Sequence, residues 1–481
     1  MATFVILARL LEPKAFGLVA FASVAIGFLT IFVQQGLRPA LVQAPELEKR
    51  HLDTAFWMSL AFAILLTLLV VVTAPLIATL FRMPAAADIL RALSPAFVLS
   101  ALATTHAAIL QRRMAFKILA LRQTVGNLAG GGIGVALALT GAGVWALVAQ
   151  VLTTLAVGTV LVWVGSRWRP GTAVTVSTYV ELHKFSRNVV GAQLAAFFLR
   201  RTDDLFIGAV LGPVALGIYS VSYRLLLVML DVSINTVAQV ALPTFARMQQ
   251  DKARLRRAYS AASRASAVIA LPTFCFVIAA APEVIVVAFG TKWTPSIEPM
   301  RILALIGIAN TISNFNGTVL TAIGKPQLTF RYVSVSAVAN AVLIAVAVPH
   351  GLLAVAGAVV VGQAFVASPI SIRMITIELG MTYRQYFGDY VTPMVASVVM
   401  AATVAGLHVA LIDDVGAAAR LAIMVVVAMA VYAVALFVLD RPLLREMKGL
   451  LSAVASRGRG GPIDGDDVAP DHLAPARRGG D

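Results

Sequence analysis

Six charged residues fall inside two otherwise apolar runs. Arg200, Arg201, Asp203 and Asp204 occupy the middle of residues 188–211, and Arg224 and Asp231 follow in residues 216–236. A charge near the centre of a bilayer costs about 2.5–3.5 kcal/mol on insertion scales, so such groups pair with one another or face a cavity. The six sum to zero. Arg200 and Asp204 stand four residues apart, on one helical face. If two antiparallel helices turn near residue 214, Asp204 lies ten residues before the turn and Arg224 ten after it, and the spacing predicts that they pair. Two readings follow. The charges form a self-neutralised network that locks two helices, or they border a cavity and change partners when an anion enters. Arginine offers a planar fork of donors suited to phosphate-type oxygens. The carboxylates would hold the arginines while the cavity is empty, or accept protons.

Arg122 lies four residues into the run 118–140 and has no acidic neighbour to neutralise it. It either snorkels to the membrane surface or meets an incoming anion there. His106, on the preceding run, reads as structural. Asn310 and Asn314 share one helical face, one turn apart, with Asn316 beyond them; they either bind ligand hydroxyls or bridge helices. Gly126, Gly130, Gly131, Gly132 and Gly134 suit close helix approach or bending. The candidate ligand contacts are therefore Arg122, Arg200, Arg201, Arg224, Asn310 and Asn314. Asp203, Asp204 and Asp231 are the candidate ion-coupling or charge-network residues. No catalytic residue is assigned. No Cys/His cluster has metal-ligand spacing, no GxxxxGK[ST] loop is present, and no cofactor is expected.

The solvent dictates the elements that hold these residues. Of 481 residues, 59% are hydrophobic and 13% charged, with mean hydropathy +0.88; soluble domains average about 45–50% and about 25%. This excludes a soluble enzyme and leaves a polytopic membrane protein. A span takes roughly 20 apolar residues, and backbone facing lipid must be helical. Thirteen full spans are predicted at about 16–35, 55–81, 89–110, 118–140, 143–164, 188–211, 216–236, 265–289, 299–323, 330–348, 352–372, 390–412 and 416–439. Residues 1–11 read as the second half of a further helix, either because the start is placed downstream or because the first helix is short. No cleavable signal peptide is visible, and the single Cys275 excludes an intrachain disulfide.

Orientation follows from Lys and Arg. With fourteen crossings and both ends inside, 27 of the 38 basic residues fall in inner segments and seven at outer ones. The net charge of +15 thus belongs to cytoplasmic loops, and no nucleic-acid partner is implied. The chain beyond Ser452 is rich in Gly, Pro, Asp and Arg, with too little apolar surface to fold.

An internal repeat organises the spans. Leu11-Glu12-Pro13-Lys14-Ala15-Phe16-Gly17 returns as Leu211-Gly212-Pro213-Val214-Ala215-Leu216-Gly217. Phe116-Lys117 matches Phe330-Arg331, and Leu90-Arg91-Ala92-Leu93 matches Met300-Arg301-Ile302-Leu303. The expected architecture is all-α: a six-helix lobe at 1–164, an inner connector at 165–187, a second lobe at 188–372, two extra helices at 390–439 and a cytoplasmic tail at 440–481. Even numbers of spans make the repeats parallel, related by a pseudo-two-fold along the membrane normal. Transporters use this plan, with a site between the halves.

Several strings then resemble oligosaccharide flippases (Wzx-type) of the polysaccharide transporter family. They are Ala8-Arg9-Leu10-Leu11-Glu12-Pro13-Lys14-Ala15-Phe16-Gly17-Leu18-Val19, Thr54-Ala55-Phe56-Trp57, Leu110-Gln111-Arg112, and Gly143-Val144-Trp145-Ala146-Leu147-Val148-Ala149-Gln150. In the second half Asp203 with Ile207-Gly208, Tyr223-Arg224, Phe289-Gly290 with Lys292-Trp293, and Gly324-Lys325-Pro326 are similar too. The resemblance covers about residues 5–390. It implies the multidrug/oligosaccharidyl-lipid/polysaccharide exporter fold in the inner membrane. It also implies export of a polyprenyl-diphosphate-linked oligosaccharide, so that the anion is a diphosphate and the hydroxyls are a saccharide's. Membrane lipids, a polysaccharide polymerase and glycosyltransferases are the further partners it suggests. A lipid II flippase and a drug or cation antiporter of the same superfamily remain alternatives. A membrane-embedded polymerase or glycosyltransferase fits less well, because the short outer connections offer no domain to place catalytic carboxylates.

Overall fold

The computed structural model describes residues 2–44, 47–231, 233, 236–410 and 416–440, with side chains left out at 184–188, 199 and 236–240. Among these the chain is helical, with no strand. The first helices are α1 (Ala2–Leu10), α2 (Pro13–Gln34), α3 (Leu37–Gln43), α4 (Lys49–Leu80), α5 (Ala86–Leu93), α6 (Pro95–Arg112), α7 (Phe116–Leu139) and α8 (Val144–Ser166). Pro13 opens α2 at a position where its missing N–H costs nothing. Next come α9 (Val176–Leu230), α10 (Thr236–Arg247), α11 (Lys252–Ala279) and α12 (Ala281–Phe289), then a 3₁₀ turn, Thr291–Ser296. The last group is α13 (Ile297–Ala322), α14 (Pro326–Ala347), α15 (Leu352–Val361), α16 (Ser368–Leu379), α17 (Tyr383–Ala410) and α18 (Ala417–Leu439), with a π-helical turn, Gly362–Ala367, joining α15 to α16.

Over the described residues, each predicted span falls on one helix, on one arm of α9, or on two consecutive helices. The count of fourteen crossings is not reproduced, however: eleven described helical segments are long and apolar enough to cross a membrane. The physical reasons are local. The first helix has only nine residues. Arg122, Gln123, Asn127 and five glycines dilute the hydropathy of α7, and Arg200–Leu230 counts as one segment although its backbone breaks from helical geometry at Gly212. Lipid is the natural solvent of the outer surface. On α4, Leu65, Leu68, Val72, Leu76 and Leu80 are 59–76% exposed, a contiguous apolar face that water would not tolerate.

The chain reverses within α9. Gly212 has φ 83° and ψ −178°, a conformation essentially restricted to glycine, and Pro213 follows it. Residues 16 apart on a straight helix would lie about 24 Å apart, yet the Tyr219 hydroxyl donates to Asp203 Oδ2 at 2.7 Å. A Cβ built on Gly208 would meet Leu216 at 3.3 Å, so the hairpin is centred near residue 212.

The two copies of the repeated motif cross there. The place of a Cβ on Gly17 is filled by the Pro213 carbonyl, and that on Gly217 by the Pro13 carbonyl. Reciprocal contact between equivalent residues is what a two-fold-related pair of segments makes. Beside this crossing, Trp293 Nε1 donates to Ala8 O at 2.7 Å, Arg9 donates to the carbonyls of Ala288 and Val287, and Phe4 packs edge-on against Phe289.

The segment expected as connector is held by α4. Asp53 accepts from the amides of Gly171 (2.9 Å) and Ala173 (3.3 Å), and Trp57 Nε1 donates to Gly171 O at 2.8 Å. Buried His106 bonds Ser166 at 2.7 Å and lies over Trp163. On the far side, α17 and α18 dock on α12 through buried Glu283, which meets His408 at 2.6 Å and Arg420 at 3.0 Å. The sequence reading assigned no role to Glu283. The tail beyond residue 440 lies outside the described residues.

Candidate functional site

Three adjoining cavities lie where α2, α8 and the second arm of α9 face one another and α13. The first, of about 450 Å³, is lined by Ser23, Asn127, Gln150, Arg201, Asp204 and Arg224 among others. The second, about 520 Å³, shares Arg224 and Leu227 with it and adds Asp231, Asn310 and Asn314. The third, about 360 Å³, shares Asn310 and Asn314 with the second and Tyr223 with the first, and runs on to α14 and the π-helical turn. Six of the residues expected at the site (Arg201, Asp204, Arg224, Asp231, Asn310 and Asn314) thus line one continuous region. Three do not. Arg200 is exposed on α9. Asp203 is buried, accepting from Tyr219 and from the amide of Asp204 at 3.0 Å. Arg122 is half-buried against Gly158 of α8, with Arg38 as its electrostatic neighbour.

The pairing expected from sequence is different in the structure. Asp204 Oδ2 accepts from Arg201 Nη1 at 2.8 Å, rather than from Arg224 or Arg200. The cause is register. With the reversal at Gly212 instead of residue 214, the position level with Asp204 is near Tyr219, and Arg224 lies about one turn further along its helix. The nearest cation is then Arg201, three residues back on the same helix, where i,i+3 geometry suffices. Among the described residues nothing hydrogen-bonds or ion-pairs with the Arg224 side chain, which is exposed to two of the cavities. Its guanidinium is free to meet an anion.

Asn310 accepts from Gln363 Nε2 at 2.8 Å. Asn316 lines none of the three cavities; it accepts from Tyr259 at 2.7 Å and donates to Ser371 and Tyr386 at 3.1 Å, a saturated bridge between helices. No site role is assigned from sequence to Gln150, Tyr332, Ser336, Asn340 or Gln363. A signal existed for three of them: Tyr332, Ser336 and Asn340 repeat every four residues, a polar stripe along an otherwise apolar helix. A separate apolar groove of about 370 Å³ opens between α11, α17 and α18, lined by Phe276, Met400, Met429 and Met229.

Residues 6–298 match the family model described as "Polysaccharide biosynthesis protein". The chain is 31% identical over 339 residues to the succinoglycan biosynthesis transport protein ExoT of Rhizobium meliloti, covering 70% of this chain and 68% of that one. It is 24% identical over 392 residues to the lipopolysaccharide biosynthesis protein WzxC of Escherichia coli, covering 79% and 78%. Among solved structures it superposes on a lipid II flippase, MurJ, in an inward closed conformation, with TM-score 0.74, 15% identity, and 92% and 96% of the two chains covered. A multidrug resistance MATE transporter in an inward-facing conformation gives TM-score 0.61 at 16% identity, covering 79% and 93%. At these identities the structural likeness speaks for the fold.

Proposed function

Because this chain belongs to the polysaccharide biosynthesis protein family, we propose that it is a flippase. It carries polyprenyl-diphosphate-linked oligosaccharide from the cytoplasmic to the periplasmic leaflet of the inner membrane, for assembly of an exopolysaccharide or O-antigen-like polymer. The names of its relatives, a transport protein for succinoglycan and a protein of lipopolysaccharide biosynthesis, support the substrate class. Residues 1–164 and 188–372 are two lobes joined by the connector 165–187, with 390–439 as two added helices and 440–481 as a tail, and both termini are cytoplasmic.

The observation that carries this reading is Arg224. It stands without a partner among the described residues, at the junction of cavities lined from both repeats. Moving a diphosphate and a polar saccharide across about 30 Å of hydrocarbon requires replacing their water. Arg224 and Arg201 supply charge-assisted donors to the diphosphate, and Asp204 holds Arg201 when no ligand is bound. The polyprenyl chain stays in lipid along the apolar groove beside α11, α17 and α18. Alternating access is driven by substrate and product gradients, by coupled protons or cations, or by the membrane potential, worth about 2.3 kcal/mol per charge per 100 mV. Glycosyltransferases act before it and a polymerase after it.

Deleting the gene and analysing lipid-linked sugars on each leaflet tests this. A completed repeat unit accumulates on the cytoplasmic side. An incomplete or unpolymerised unit on the periplasmic side would make the protein an enzyme of assembly instead.

A further inference from the structure

The third cavity differs chemically from its neighbours. The first two carry Arg201, Asp204, Arg224 and Asp231, whereas the third is lined by no charged side chain among the described residues. The polar part of its wall is carboxamides, hydroxyls and aromatic rings, among them Asn314, Asn340, Gln363, Ser336, Tyr223 and Tyr332, beside aliphatic Ile306, Val333 and Val359. Asn314 Nδ2 and Asn340 Oδ1 have no hydrogen-bond partner, so one donor and one acceptor are unfilled where buried polar atoms are nearly always paired. A turn of π-helix forms one side, a feature rare in regular helices and frequent at functional sites. Gly362 opens that turn, and a Cβ there would press on Asn340 Oδ1 at 2.8 Å. The glycine therefore leaves the carboxamide its room.

We propose that this pocket of the second repeat is a subsite for a neutral pyranose, the sugar nearest the diphosphate. The inference rests on the flippase reading. A hexose presents hydroxyls that donate and accept at once, and carboxamide and hydroxyl side chains match both roles. Its C–H faces pack on tyrosine rings. The pocket adjoins the cavity of Arg224, so a sugar bonded to a diphosphate at Arg224 enters it directly. A uronic acid would bring a carboxylate into a wall with no cation to meet it, which is costly. The pocket thus selects the first sugar, and Arg224 selects the anion.

The test uses the full-length protein in lipid nanodiscs, with calorimetric binding of three probes: farnesyl diphosphate, its α-glucosyl ester and its α-glucuronyl ester. The glucosyl probe binds wild type at least tenfold tighter than farnesyl diphosphate, and the glucuronyl probe gains no such advantage. Asn340→Leu and the milder Ser336→Ala erase most of the glucosyl gain and leave farnesyl diphosphate within twofold, which also shows that the variants are folded. Arg224→Ala weakens all three probes. An unchanged glucosyl affinity in both pocket variants, or equal weakening of both probes, overturns the subsite while leaving the flippase reading intact. Glucuronyl binding as tight as glucosyl overturns its neutrality. Failure of wild type to bind any probe overturns the flippase reading and the subsite with it.

Discussion

Asp203 and Asp204 are adjacent carboxylates with different duties. Asp203 is buried and closes the α9 hairpin through Tyr219, whereas Asp204 faces a cavity and is held by Arg201. Tyr219→Phe removes a donor from a buried carboxylate and is expected to lower stability by about 1–3 kcal/mol, read by thermal unfolding in detergent. Arg224→Ala removes no hydrogen bond or ion pair among the described residues, so the melting temperature is expected to hold. Loss of a charge-assisted hydrogen bond to ligand, worth about 1.5–3 kcal/mol, lowers substrate binding about ten- to a hundredfold. Arg224→Lys, without the planar fork, recovers only part of it. Reporter export and binding to purified protein separate the two variants from Tyr219→Phe. The sequence made these residues visible, since charge in an apolar run is costly wherever it falls. It did not reveal the partners, because a two-residue shift in the centre of a hairpin moves the opposite helix by four, about one turn.

At the scale of elements, hydropathy located the helices, because lipid and backbone hydrogen bonding leave the chain little choice. It could not locate the reversal, which depends on one residue. Gly212 stands in register with Glu12 of the first repeat, whose φ is −89°, so the two copies turn differently at matched positions. Gly212→Ala is expected to destabilise by about 1–3 kcal/mol through its φ of 83°. Gly132→Ala, in the middle of α7 with open space around its Cβ position, is neutral or stabilising by up to about 1 kcal/mol. Equal effects of the two in a detergent melt would remove the special status of Gly212. The Thr54-Ala55-Phe56-Trp57 string was legible as a pattern only. Its physical content, with Asp53, is a grip on residues 171–175 through backbone groups, and backbone partners leave no trace in the sequence of the segment they hold.

For the whole molecule, the repeat was readable as weak matches in register, but its meaning is spatial. The two copies meet one another at Gly17 and Gly217, and the Arg9, Phe4, Trp293 and Phe289 contacts lie beside that crossing. In the proposed topology this is the periplasmic end, so these contacts are expected to shut the cavity on the side where substrate must leave. Weakening them should open it. Cys275 is the only cysteine, so a Cys275→Ser background lets one introduced thiol report. Ser23 lines the first cavity, and Ser23→Cys should react slowly with a membrane-impermeant maleimide added from the periplasm. Adding Trp293→Ala removes the hydrogen bond to Ala8 and the edge contact with Phe16, together about 1–3 kcal/mol. A shift of about 1.4 kcal/mol moves a two-state equilibrium tenfold, so labelling should accelerate about tenfold or more. Gly17→Val, which places a side chain where the Pro213 carbonyl now sits, should act in the same direction. Unchanged labelling in both variants, with expression intact, would mean that this end of the molecule does not gate the cavity.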